Sequence, residues 1–141
     1  MSRSPRRATT TRPIPPRLLR AYRDTAYRAD GIAVRIGQRC PDALFERLNG
    51  QAAVVLTAWN PLSRRMPDGW NRRMQGRLRT CLRRLVVREA ESSLHRWHEE
   101  MLVVAGDPRP FIRCAARFRQ RAVVILRRGH KARLSRARWI A

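Results

Sequence analysis

From Ala52 to Ala58 the chain is apolar or β-branched at every position, without a single charge. Such a run reads as a strand covered on both faces, because a face open to water would alternate with polar residues. Met101 to Ala105 and Ala122 to Leu126 have the same character. Strands of this kind need layers to cover them. The remaining segments offer helices for that purpose, which predicts an α+β domain: a mixed β-sheet with helices packed on it, in a single compact unit.

Turn and cap residues divide the rest. Pro16 can open a helix to about Arg23, with Leu18, Leu19 and Tyr22 on one side. Thr25 to Arg28 and Ile32 to Ile36 flank Asp30-Gly31, a pair suited to a tight hairpin. Ala43 to Leu48 reads as a short helix stopped by Asn49-Gly50. Trp70, Met74, Leu78, Leu82 and Leu85 recur at helical spacing, so a helix from Trp70 to Leu85 is expected to bury that stripe. Val86 and Val87 open a further strand. Asp107-Pro108 can cap and begin a helix carrying Phe111, Ala115 and Phe118, and Gly129 allows a turn toward a last segment near Leu134. Residues 1–16 mix Ser, Thr, Arg and Pro without periodicity and read as a disordered basic arm. The domain is expected over 17–136, with a basic tail at 137–141.

Charge narrows the choice of partners. The 141 residues carry 32 basic and 10 acidic side chains, a net charge of +22, and Lys131 is the only lysine, so 31 are arginine. Self-repulsion on that scale is relieved by an anionic partner, nucleic acid first, although a codon bias toward arginine accounts for the same composition. The helix from Trp70 to Leu85 contains no acidic residue, which marks Arg72, Arg73, Arg77, Arg83 and Arg84 as polyanion-binding candidates.

Cys40, Cys81 and Cys114 are odd in number, form no CxxC pair and read as reduced core residues. No apolar stretch approaches the length of a membrane span, and neither a secretory nor a mitochondrial leader is recognisable, so a cytoplasmic protein without a membrane partner is expected. His95 and His98 beside Glu99 and Glu100 have metal-ligand chemistry but lack a further ligand, and no metal or cofactor is expected. No nucleophile elbow or phosphate loop occurs, which leaves open whether the domain catalyses anything.

Tyr22, Thr25 and Tyr27, then Arg35-Ile36-Gly37-Gln38, Thr57-Ala58-Trp59-Asn60-Pro61, Asn71, and finally Phe118, Gln120 and Ala122 form a combined pattern. From Tyr22 to about Leu134 the chain resembles a bacterial family known only as domain of unknown function 3293. Where that family has an acidic-Pro-Ser step entering the late strand, this chain reads Glu99-Glu100-Met101-Leu102 and lacks the Pro and the Ser. The resemblance implies no activity. The end of the Ala52 to Ala58 strand nevertheless gathers Thr57 and Asn60, with Asn71 at the start of the following helix. Strand ends feeding loops are where ligands of layered proteins collect, so these three are candidates for holding a small polar molecule; capping and loop bracing are the structural alternative. Three functions follow: a non-enzymatic protein that binds nucleic acid or another polyanion, a small-ligand or enzymatic domain built on Thr57, Asn60 and Asn71, or a protein-interaction module.

Overall fold

A computed structural model describes residues 13–137, together with the backbone of Thr9–Thr10 and Trp139–Ile140. Most of the expected arm (1–8 and 11–12), and Arg138 and Ala141 of the expected tail, lie outside the described residues. Thr9–Thr10 (β1) pairs antiparallel with Trp139–Ile140 (β9). Ile14, placed in the arm by composition, is buried.

The order of the remaining elements is α1 (Pro16–Asp24), β2 (Ala26–Ala29), β3 (Ile32–Val34), α2 (Asp42–Leu48), β4 (Ala52–Leu56), α3 (Asp68–Cys81), β5 (Val87–Leu94), β6 (Trp97–Ala105), α4 (Pro108–Arg117), β7 (Ala122–Arg127) and β8 (Arg133–Arg136). The fold is α+β. Seven strands form one sheet in the order β3-β2-β5-β6-β4-β7-β8, and every ladder in it is antiparallel. Among the described residues the one parallel pairing is an isolated bridge between Ile36 and Ala132.

That bridge shapes the molecule. β3 and β8 are the two outer strands of the sheet. The segment after β3 meets the segment before β8: Gly37 N–H donates to Ala132 O at 2.8 Å, Ala132 N–H to Gln38 O at 2.9 Å, and Cys40 N–H to His130 O at 2.9 Å. Gly37 supplies the positive φ of 87° that this path requires. Joined in this way, the edges leave few unpaired backbone groups, and the sheet curls.

The curl has two faces. Inside, Val55, Val103, Val124 and Leu126 pack with Leu44, Phe45 and Leu48 of α2, all almost fully buried. Outside, Val54, Leu56, Leu102, Val104 and Ile125 lie under Leu78 and Leu82 from α3 and Phe111 and Ala115 from α4. The central strands are therefore covered on both sides, as their unbroken apolar runs require.

The hairpin turn adopts φ 49° at Asp30 and 79° at Gly31, and Asn49 ends α2 with φ 50°. Asp107 caps α4 by accepting from Arg109 N–H at 3.0 Å. Two expectations need correction. The basic helix ends at Cys81, so Arg83 and Arg84 lie on the turn that follows it, and Leu85 is 46% exposed. Its buried edge begins with Asn71 and Gln75 before reaching Leu78, because the first turns of α3 lie against the end of β4, where backbone groups need partners. The cysteines also differ. Cys40 is buried, but Cys81 is exposed at the solvent side of the end of α3 and Cys114 is half-buried. Among the described residues no helix is long and apolar enough to cross a membrane.

Candidate functional site

Strand alternation places residues two apart on the same face. Followed along the inner face of the central strands, it turns from apolar to polar at one end: Val103 and Met101 of β6 lead to Glu99, Val124 and Ala122 of β7 lead back to Gln120, and Ala53 and Val55 of β4 lead to Thr57. The neighbouring strands contribute to the same level, since Tyr27 pairs with Ser92 and Ser92 with Glu99. Thr57, Glu99, Met101, Gln120 and Ala122, with Tyr27 and Ser92, line a pocket of about 120 Å³, walled further by Leu18, Ala21 and Tyr22 of α1 and by Ser63, Trp97 and Arg121. An apolar cavity of ~150 Å³ accepts benzene, so the volume admits a molecule of a few heavy atoms.

A dense hydrogen-bond network builds the wall at the end of β4. Thr57 Oγ1 donates to Glu100 O at 2.6 Å and accepts from Trp59 N–H at 3.0 Å, while Gln75 Oε1 accepts from Ala58 N–H at 2.8 Å. Asn71 is an internal brace. Its Oδ1 accepts from Asn60 N–H at 3.0 Å, and its Nδ2 donates to Asn60 Oδ1 at 2.9 Å and to Met66 O at 3.2 Å. Asn60 can then hold φ 47°, a left-handed conformation more accessible to Asn than to most residues, with Nδ2 directed to Glu99 Oε1 at 3.4 Å. Gln120, just before β7, donates to Trp59 O at 3.0 Å. Trp59 is buried in the same wall.

Thr57, Asn60 and Asn71 are therefore brought together, but in unequal positions. Thr57 and Asn60 line the pocket; Asn71 is nearly fully buried behind Asn60. Of the arginines, Arg72 lies 3.9 Å from Glu100, and Arg79 pairs with Glu89. Arg73, Arg77, Arg83 and Arg84 are exposed and have no ion-pair partner among the described residues. His95 sits at the β5–β6 turn with φ 53°, and His98 contacts Glu91 across the hairpin at 3.2 Å.

Burial sets the electrostatics of the pocket. Desolvation pushes the Glu99 carboxyl above its ordinary range, partly offset by donation from Trp97 Nε1 at 2.6 Å and from Asn60. Tyr22 is pushed up to about 12, by burial first and by the Glu99 charge second, with Arg121 and Ser63 pulling it back. Tyr27 is raised by burial, then by Tyr22 and Glu99. Both phenols remain protonated donors near neutral pH. Glu99 and Arg121 were not recognisable as site residues from local motifs. The usable signal was the alternation Glu99, Met101, Val103, which puts a carboxylate on a core face.

Residues 56–123 match the model of a family described as a protein of unknown function (DUF3293). Over that span, a little under half of the chain, the sequence is similar to DUF3293. No curated protein and no solved structure matches it. The DUF3293 span supplies the pocket residues from Thr57 to Ala122, and the sequence before it supplies those from Leu18 to Tyr27. Most residues that carry the family resemblance have a place in this architecture. Tyr22, Thr25, Tyr27, Thr57, Asn60, Gln120 and Ala122 line the pocket, Asn71 braces it, and Ile36, Gly37 and Gln38 join the edges of the sheet.

Glu99 gives a pH signature with a defined sign. A carboxyl whose folded pKa is raised costs stability once ionised, so stability falls as pH rises from the ordinary value of about 4.3 through the raised one. Glu99→Gln keeps an oxygen acceptor for Trp97 and Asn60 but does not ionise. Its melting temperature should exceed that of the wild type near neutral pH, and the gap should close as pH falls to about 4. Paired thermal melts across that range check this; a gap that widens on acidification contradicts it.

Proposed function

We propose that this protein binds a small polar molecule in the pocket at the polar end of the curl. The supporting observation is convergence: inner-face positions that are apolar along most of each central strand become Thr57, Glu99 and Gln120 at one level, opposite Tyr22 and Tyr27. A curl needing only stability would fill that level with aliphatic side chains, since polar groups there carry desolvation costs that hydrogen bonds at best offset. Thr57 and Asn60 contribute to the wall, and Asn71 acts through Asn60.

Thermal-shift screening against a library of small polar metabolites tests this reading. A ligand present at about 100 times its Kd stabilises by about 2.7 kcal/mol, which raises the melting temperature of a domain this size by several degrees. Ser92→Phe, which fills the pocket from a strand position, should remove the shift and leave a folded protein. A shift that persists in the filled variant contradicts the site, and a library that shifts nothing contradicts the function.

A second reading, polyanion binding, rests on Arg73, Arg77, Arg83 and Arg84, which lie along α3 and its following turn without carboxylates to neutralise them. For every arginine–phosphate pairing removed from a duplex complex, the log–log salt slope of binding should fall by about 0.9. Changing all four to Gln should therefore reduce the slope by up to about 3.6, equally for unrelated sequences. An unchanged slope removes this surface, and no nucleic-acid binding by the wild type near physiological salt removes the reading.

A further inference from the structure

Glu99 and Arg121 are opposite charges lining one small pocket, and neither takes part in an ion pair among the described residues. Both hydrogen bonds to the Glu99 carboxylate fall on Oε1, which leaves Oε2 unspent. Arg121 Nε is buried without a partner. Tyr22 lines the same pocket as both groups, and its hydroxyl feels the charge of each. Two partly desolvated charges gain most by closing on each other, and a fold that holds them apart leaves each cost uncompensated. A ligand with complementary charges at its two ends would offset both.

Resting on the pocket reading above, we propose that the ligand is a small zwitterion, its ammonium group against Glu99 and its carboxylate against Arg121. The guanidinium fork matches a carboxylate, and Glu99 accepts from an ammonium group. A volume of about 120 Å³ restricts the ligand to a compact amino acid without a large side chain. Tyr22, a further lining residue of the pocket, has a hydroxyl that can donate to the ligand carboxylate.

Titration calorimetry of the wild type with glycine, β-alanine, γ-aminobutyrate and δ-aminovalerate tests the assignment, because this series varies the charge separation. Each is compared with its N-acetyl derivative, which lacks the cation, and with the matching alkylamine, which lacks the anion. The Trp97 indole N–H, bonded to Glu99, reports occupancy of the pocket in a proton–nitrogen correlation spectrum. One amino acid should bind about tenfold or more tighter than both of its counterparts, the scale of one charge-assisted hydrogen bond. Glu99→Gln should bring it down to the level of the N-acetyl derivative, and Arg121→Gln to the level of the amine. The wild-type preference decides the matter even where Arg121→Gln does not fold. Equal binding of a counterpart, with the Trp97 resonance moving, overturns the zwitterion and upholds the pocket. If no probe moves that resonance, the zwitterion is overturned, and the metabolite screen alone then decides whether the pocket binds anything.

Discussion

Three backbone hydrogen bonds between the Gly37–Cys40 and His130–Ala132 segments tie the outer strands of the sheet together. Each contributes only about 1 kcal/mol net, but their placement matters more than their sum. With its edges joined, the sheet must curl, and curling gives it a concave inner face with room for one short helix. α2 fills the apolar part of that space with Leu44, Phe45 and Leu48. What α2 does not fill becomes the pocket, walled by α1 from the side.

The two helices on the convex side divide their work. α4 is mainly hydrophobic cover, presenting Phe111 and Ala115 to the sheet. α3 begins as a polar scaffold and ends as cover: Asn71 and Gln75 satisfy the end of β4, and Leu78 and Leu82 then join the outer cluster. This explains how one helix can carry exposed arginines on one side and buried amides on the other. The arginines face solvent, while the amides keep buried backbone groups from being left unpaired.

The covered strands, the Asp30-Gly31 hairpin, the Asn49 stop and the Asp107 cap were legible because each depends on local chemistry. The long β5–β6 hairpin was only half legible. Its inner positions at Ala90, Ser92 and Glu99 are small or polar, so hydrophobic alternation fades where the pocket begins. The stripe from Trp70 to Leu85 misled for the reverse reason. Helical spacing identified one face, but tertiary demand at the strand end gave the buried edge to Asn71 and Gln75 and left Leu85 outside. Thr57, Asn60 and Asn71 stood out because they follow a covered strand, at its end and at the start of the next helix. Glu99 and Arg121, separated in sequence, come to line one pocket only after the sheet has curled.

Pocket, core and helix placement all depend on the joined edges, so native-state hydrogen exchange of the amides of Gly37, Cys40 and Ala132 is the most direct test. If the edges are joined as described, these amides exchange only with opening of the sheet, at rates close to those of Val55 and Val103 in its centre. Exchange as fast as that of the His95 turn amide would mean that the edges part freely, and the curl that forms the pocket would not exist as a stable structure.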